Sequence, residues 1–163
     1  MIELSFDEIV RLVKEKNIKT INICGSPGSG KSTLSIKLTQ ILCFKLIDLD
    51  YVLYKENCNR KSKDEDIVEL KQVLTEQNIL IDGTYSSTLE YRIDKVDLFI
   101  FTKRNILVSL YRFTKRLLKA KNLKCGERLT LKTLTLIINY KKIENDIFTI
   151  LIPTEKLVIY RGI

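Results

Sequence analysis

The chain has 163 residues, 45% of them hydrophobic and 29% charged, with a formal net charge of +8 and no histidine. That length and balance fit a single soluble globular domain, 1–163, and exclude a disordered or collagenous chain, while no apolar run approaches the roughly 20 residues needed to span a bilayer. The cysteines at 24, 43, 58 and 125 show neither C-x-x-C pairing nor metal-ligand spacing, so zinc is disfavoured and the thiols are expected to be reduced in a cytoplasmic protein.

In chain order, the start at 1–8 is acidic and mixed, unlike a secretory signal. Ser5, Phe6, Asp7 and Glu8 form a capping-box sequence that predicts a leading helix to about residue 16, with Ile9, Val10, Leu12 and Val13 as its apolar stripe. A short β run at 19–24 leads into Gly25-Ser26-Pro27-Gly28-Ser29-Gly30-Lys31-Ser32, followed by Leu34, Ile36, Leu38, Ile41 and Leu42 at roughly helical spacing. A second strand is predicted at 45–48, then a polar segment, then a helix opened by a second capping box, Ser62 to Glu65, and carrying Ile67, Leu70, Val73 and Leu74. The runs at 79–83 and 98–101 are almost wholly apolar, as in strands buried on both faces of a parallel sheet. Helical patterning follows at 105–119 and 130–151, Pro153 stops the second of these helices, and 156–160 reads as a last strand. The sum is an α/β fold, a doubly wound, mostly parallel five-stranded sheet with helices on both faces.

The segment at 25–32 fits the phosphate-loop pattern G-x-x-x-x-G-K-[ST] and lies between a strand and a helix, where the mechanism needs it. Glycines at 25, 28 and 30 let successive N–H groups turn inward to form a nest at a helix N-terminus. The candidate nucleotide-binding set is therefore Gly25, Ser26, Pro27, Gly28, Ser29, Gly30, Lys31, Ser32 and Thr33. Lys31 supplies a point charge to the β- and γ-phosphates, and the Ser32 hydroxyl is a ligand for Mg²⁺. The expected cofactors are ATP or GTP and Mg²⁺.

With no histidine, any general base must be another side chain, and the aspartates that close strands draw attention. Asp82, before Gly83, reads either as an acid holding Mg²⁺ or as a turn aspartate. Asp48 and Asp50 alternate along a segment read as extended, which points both at one cleft unless they form a solvated acidic turn. The functional reading gives Asp48 a metal-side role and Asp50 the acceptor contact or the base.

From 103 to 132 there are ten Lys or Arg against one acid, Glu127. The positive charge is thus concentrated in one helix and a short lid. Arg112 and Arg116, four apart, share a helix face from which they could clamp phosphate oxygens; the alternatives are a solvated basic face or, less favoured, nucleic-acid binding. The segment has no interleaved aromatic platform of the kind single-strand binders use, which argues against that reading.

The order of these motifs resembles that of the small P-loop kinases related to adenylate kinase, and most closely the DNA topology modulation proteins. The resemblance rests on the phosphate loop, Leu49-Asp50-Tyr51, Ile81-Asp82-Gly83-Thr84-Tyr85, the stretch from Arg92 to Asp97, and the arginines from 104 to 116. It implies Mg²⁺-dependent transfer of the γ-phosphoryl group to a small acceptor, a nucleoside monophosphate foremost and a metabolite hydroxyl as the alternative. It also implies that Arg92 touches the acceptor's acidic group and that Arg116 reaches the donor phosphates.

Overall fold

Short apolar runs become interior strands here because helices cover both of their faces. The computed structural model describes residues 2–54, 61–119, 135 and 137–162. Strands β1 (Ile2–Glu3), β2 (Thr20–Gly25), β3 (Lys45–Asp48), β4 (Ile79–Asp82), β5 (Leu98–Thr102) and β6 (Leu157–Tyr160) form one sheet in the order β1-β6-β5-β2-β4-β3. Every pairing is parallel. The sheet therefore has six strands rather than the five expected. The additional strand, β1, sets Ile2 beside Val158 and Glu3 beside Ile159 at the edge. Ile2 is exposed, so β1 is held by backbone pairing and leaves no hydrophobic alternation to read.

Alternation within the strands sorts the two faces. Ile21, Ile23, Leu80, Leu98 and Ile100 turn to one side, where Ile9 and Val13 of α1 (Phe6–Glu15) and Leu34 and Leu38 of α2 (Lys31–Leu42) close over them. The leading helix is thus one of the two covers of this face. Ile36 and Ile41 of α2 remain about half exposed, so the apolar pattern of that helix is broader than its buried stripe. Ile79, Ile81, Phe99 and Phe101 turn to the other side, against α3 (Leu49–Leu53), α4 (Lys63–Val73) and α7 (Tyr140–Leu151).

Local signals explain most helix boundaries. The Ser5 and Ser62 hydroxyls accept from the N–H groups of Glu8 and Glu65 at 3.4 and 3.3 Å, and both glutamates answer with a 2.8 Å bond to the cap N–H. Each cap contributes about 1 kcal/mol. In the stretch Arg92 to Asp97, which begins inside the short helix α5 (Glu90–Ile93), Asp97 accepts from the N–H groups of Lys19 and Thr20, both at 2.9 Å, and so fixes the start of β2. The expected helix over 130–151 is interrupted within its described part: Asn139 takes φ −93°, ψ 11° before α7 begins at Tyr140. Most of the expected lid lies outside the described residues. Among those described, no helix is long and apolar enough to cross a membrane, and Cys24 and Cys43 are free thiols.

Candidate functional site

β2 lies between β4 and β5, and at its carboxyl end the chain turns through the phosphate loop into α2. Two glycines there are required by their surroundings. A Cβ on Gly25, at φ 147°, would lie 2.1 Å from Thr102 Oγ1, and one on Gly28, at φ 80°, would lie 2.1 Å from the Ser109 carbonyl oxygen of α6 (Ile106–Lys119). The Ser29 hydroxyl bonds that of Thr102 at 2.6 Å, and Thr102 donates to the Cys24 carbonyl at 3.1 Å, tying the loop to β5. The first N–H groups of α2 lack intrahelical acceptors and present the positive helix end to the loop's hollow. Lys31 Nζ donates to the carbonyls of Gly25 and Ser26 at 2.8 and 3.0 Å. Burial holds its pKa below the ordinary lysine value, Asp82 and Asp50 oppose that shift, and the charge of Arg116 adds to it.

Three strands bring the aspartates together. Asp82 is paired in register with Ile23 on one side and Asp48 on the other, so both carboxylates close neighbouring strands beside the loop. Asp82 is buried and Asp48 half-buried. The extended geometry expected for 48–50 is corrected: Asp48 is the N-cap of α3, and its Oδ1 accepts from the Asp50 N–H at 3.0 Å. Helix capping turns the chain at that point, which places Asp50 in the first helical turn, where its Oδ1 accepts a hydrogen bond from the Tyr85 hydroxyl. Ser32 is half-buried in the first turn of α2 and, like the two carboxylates, offers an oxygen donor of the kind a hard divalent cation takes. Among the described residues no cage of three or more acidic, cysteine or histidine ligands exists. That donor set fits Mg²⁺, which is commonly held by one or two carboxylates together with substrate phosphates.

Arg92 is a correction. Its guanidinium is fully buried, and it donates to Asn22 Oδ1, to the Thr84 and Tyr85 carbonyls at 2.7 and 2.9 Å, and over longer distances to Gly83 and Thr88. All three of its nitrogens are committed to the protein. It therefore holds the loop after β4 rather than facing an acceptor. The clamp has a local purpose: Tyr85 sits at φ 28°, a backbone conformation costing on the order of 1–3 kcal/mol in a non-glycine residue, and Arg92 and Thr88 fix its carbonyl.

The expected pairing of Arg112 with Arg116 separates into two environments. Arg116 packs its guanidinium over the Phe113 ring at 5.6 Å and bears electrostatically on Lys31. Arg112 bears on Arg104, whose pKa burial lowers first and Arg112 lowers further. Both arginines are exposed. Arg104, Thr84 and Ser109 escaped the reading of the sequence as site residues. The Thr84 hydroxyl donates to the Gly25 carbonyl at 2.9 Å and accepts from the Gly25 N–H and the Tyr140 hydroxyl at 3.1 and 3.2 Å, so it stitches the loop after β4 to the phosphate loop. Its position directly after Asp82-Gly83 was the available signal. Beside Asp48, an open hollow of about 450 Å³ is lined by Leu46, Ile47, Tyr51 and Val52.

No family model and no curated protein matches this chain. Solved structures do. A shikimate kinase from Bacteroides thetaiotaomicron superposes with a TM-score of 0.56 at 18% identity, covering 87% of this chain and 85% of its own. A shikimate kinase from Acinetobacter baumannii, in complex with shikimate, gives 0.56 at 13% identity over 94% and 87%. A kinase assigned to fructose transport in Silicibacter sp. TM1040 gives 0.57 at 14% identity over 87% and 95%. At these identities the likeness establishes the fold, that of P-loop kinases.

Proposed function

We propose that this chain is a Mg²⁺-dependent phosphotransferase that moves the γ-phosphoryl group of ATP or GTP to a hydroxyl group of a small metabolite. The observation that carries the reading is the carboxylate of Asp50, which bears electrostatically on Lys31 and accepts a hydrogen bond from the Tyr85 hydroxyl. An acceptor bearing a phosphate would need a free cation, and the arginine expected for it, Arg92, is consumed inside the protein. The solved kinases of sugars and hydroxy acids with this fold support the same choice. The likeness of the motif order to the DNA topology modulation proteins supports the donor half of the reading.

Catalysis on these residues is positional and electrostatic. The loop amides and Lys31 cradle the phosphates, Asp50 takes the acceptor's proton as its oxygen bonds the γ-phosphorus, the bond from that phosphorus to the β-phosphate oxygen breaks so that ADP leaves, and Arg116 meets charge on the donor oxygens. Ser32, Asp82 and Asp48 would hold Mg²⁺, which neutralises charge on the β- and γ-phosphates.

The test is ADP release from Mg²⁺-ATP across nucleoside monophosphates, nucleosides, sugars and small hydroxy acids, with Lys31→Ala as control. Stimulation by a hydroxyl compound, reduced about 10²- to 10⁴-fold by Asp50→Asn, is expected. Stimulation by monophosphates alone would return the acceptor to that class.

A further inference from the structure

Among the described residues, Tyr85 is a side chain hydrogen-bonded to Asp50 that the proposed chemistry leaves without a task. Its hydroxyl donates to Asp50 Oδ1, and a phenol in that position offers the carboxylate what an acceptor alcohol would offer, an O–H directed at the base. The phenol remains a donor, because burial foremost and the Asp50 charge next push its pKa above the ordinary tyrosine value. The backbone beneath it is held in place: the Tyr85 carbonyl accepts from Arg92 Nη2 at 2.9 Å and from Thr88 N–H at 3.0 Å, and neighbouring Thr84 is bonded to Gly25. The ring leans on Tyr54, with centroids 6.4 Å apart and planes tilted 57°. With the loop pinned on both sides, the element left to move is the Tyr85 side chain itself.

We propose that Tyr85 is a positioning residue that occupies the acceptor hydroxyl's place on Asp50 Oδ1, keeps water off that oxygen, and yields only to a hydroxyl-bearing small molecule able to displace it. The proposal rests on the phosphotransferase reading of the site and adds a specificity device to it. Water is the competing acceptor in any kinase. A water molecule bonded to Asp50 would pass its proton to the carboxylate as its oxygen bonds the γ-phosphorus; the bond from that phosphorus to the β-phosphate oxygen breaks, and ADP and inorganic phosphate leave. A phenol already bonded to the same oxygen denies water that place.

The experiment measures ADP release by the full chain in Mg²⁺-ATP with no acceptor, together with the affinity for a fluorescent ATP analogue and the melting temperature. Tyr85→Phe keeps the ring on Tyr54 and removes only the hydroxyl. It is expected to raise basal hydrolysis by about 10-fold or more, part of the 10²- to 10⁴-fold that a positioned base can supply, with nucleotide affinity unchanged. Tyr85→Leu should show the same gain, and Asp50→Asn added to either should abolish it. Normal nucleotide binding with hydrolysis at or below the wild-type rate in both Tyr85 variants overturns this proposal alone. Phosphate appearing on Tyr85 in the wild type, read by mass spectrometry, also overturns it, since the phenol would then be an acceptor and not a guard. Failure of the wild type to bind the nucleotide analogue overturns the reading of the loop and this proposal with it.

Discussion

The two halves of the site are made of different materials. The proposed donor half, from Gly25 to Thr33, is built from backbone: positive φ angles, helix N–H groups and carbonyls closed by Lys31. The proposed acceptor half, from Asp48 to Asp50 and from Gly83 to Thr88, is held by side chains reaching across the sheet, Arg92 foremost. The cradle is set by local backbone conformation and by a few close approaches, those of Gly25 to Thr102 and of Gly28 to Ser109. The side-chain scaffold depends on more partners, since each member satisfies polar groups on several others.

The sharpest way to break this contrast is Arg92→Ala. It leaves the Thr84 carbonyl and Asn22 Oδ1 without the donors that hold them, at about 1–3 kcal/mol for each unsatisfied group, so stability should fall by roughly 2–6 kcal/mol in urea unfolding. A well-folded variant that merely bound acceptor poorly would return Arg92 to the acceptor site. Lys31→Ala should behave in the opposite way. It should cost ATP affinity by about 10- to 100-fold, from a charge-assisted contact of roughly 1.5–3 kcal/mol, while leaving the melting temperature of the ligand-free chain unchanged or slightly higher. Unaltered ATP affinity by calorimetry would defeat the role assigned to the loop lysine.

Lys31 also gives the donor half a pH signature. Burial lowers its folded-state pKa, so in the interval below the ordinary lysine value the unfolded chain holds the proton and the folded chain has released it. The contribution to stability then rises with pH across that interval, while ATP affinity falls as the cation is lost. Affinity and melting temperature measured in parallel at alkaline pH should move in opposite directions, and parallel movement would contradict the assignment. The smallest effect belongs to a cap on the acceptor side. Ser62→Ala should cost about 1 kcal/mol and leave ATP affinity unchanged, because the Ser62 cap bonds Glu65 of its own helix and none of the residues assigned to the nucleotide.

The legibility of the two halves follows the same division. The phosphate loop could be read from sequence because its chemistry is a spacing of glycines and one lysine along a continuous segment. Both capping boxes could be read for the same reason: Ser5 with Glu8 and Ser62 with Glu65 are interactions of residues three apart. The strand β1 could not, since Ile2 is exposed and pairs only through its backbone. Asp48 and Asp50 were singled out, yet their geometry was misjudged, because nothing local distinguishes an aspartate that ends a strand from one that caps the next helix. The role of Arg92 inverted for a related reason. An arginine in a four-residue helix carries the same signal whether it points outward to a ligand or inward to Asn22, 70 residues away in the chain.

By itself the sequence determined the alternating α/β order, the parallel character of the sheet, the phosphate loop and the acids at the strand ends, because these depend on periodicity, glycine placement and short-range capping. Only the tertiary structure decided that Asp48 caps a helix while Asp50 meets Tyr85, and that Arg92 is interior. Those outcomes are contests for hydrogen bonds and burial between segments far apart in the chain, and they exist only once the sheet has set those segments side by side.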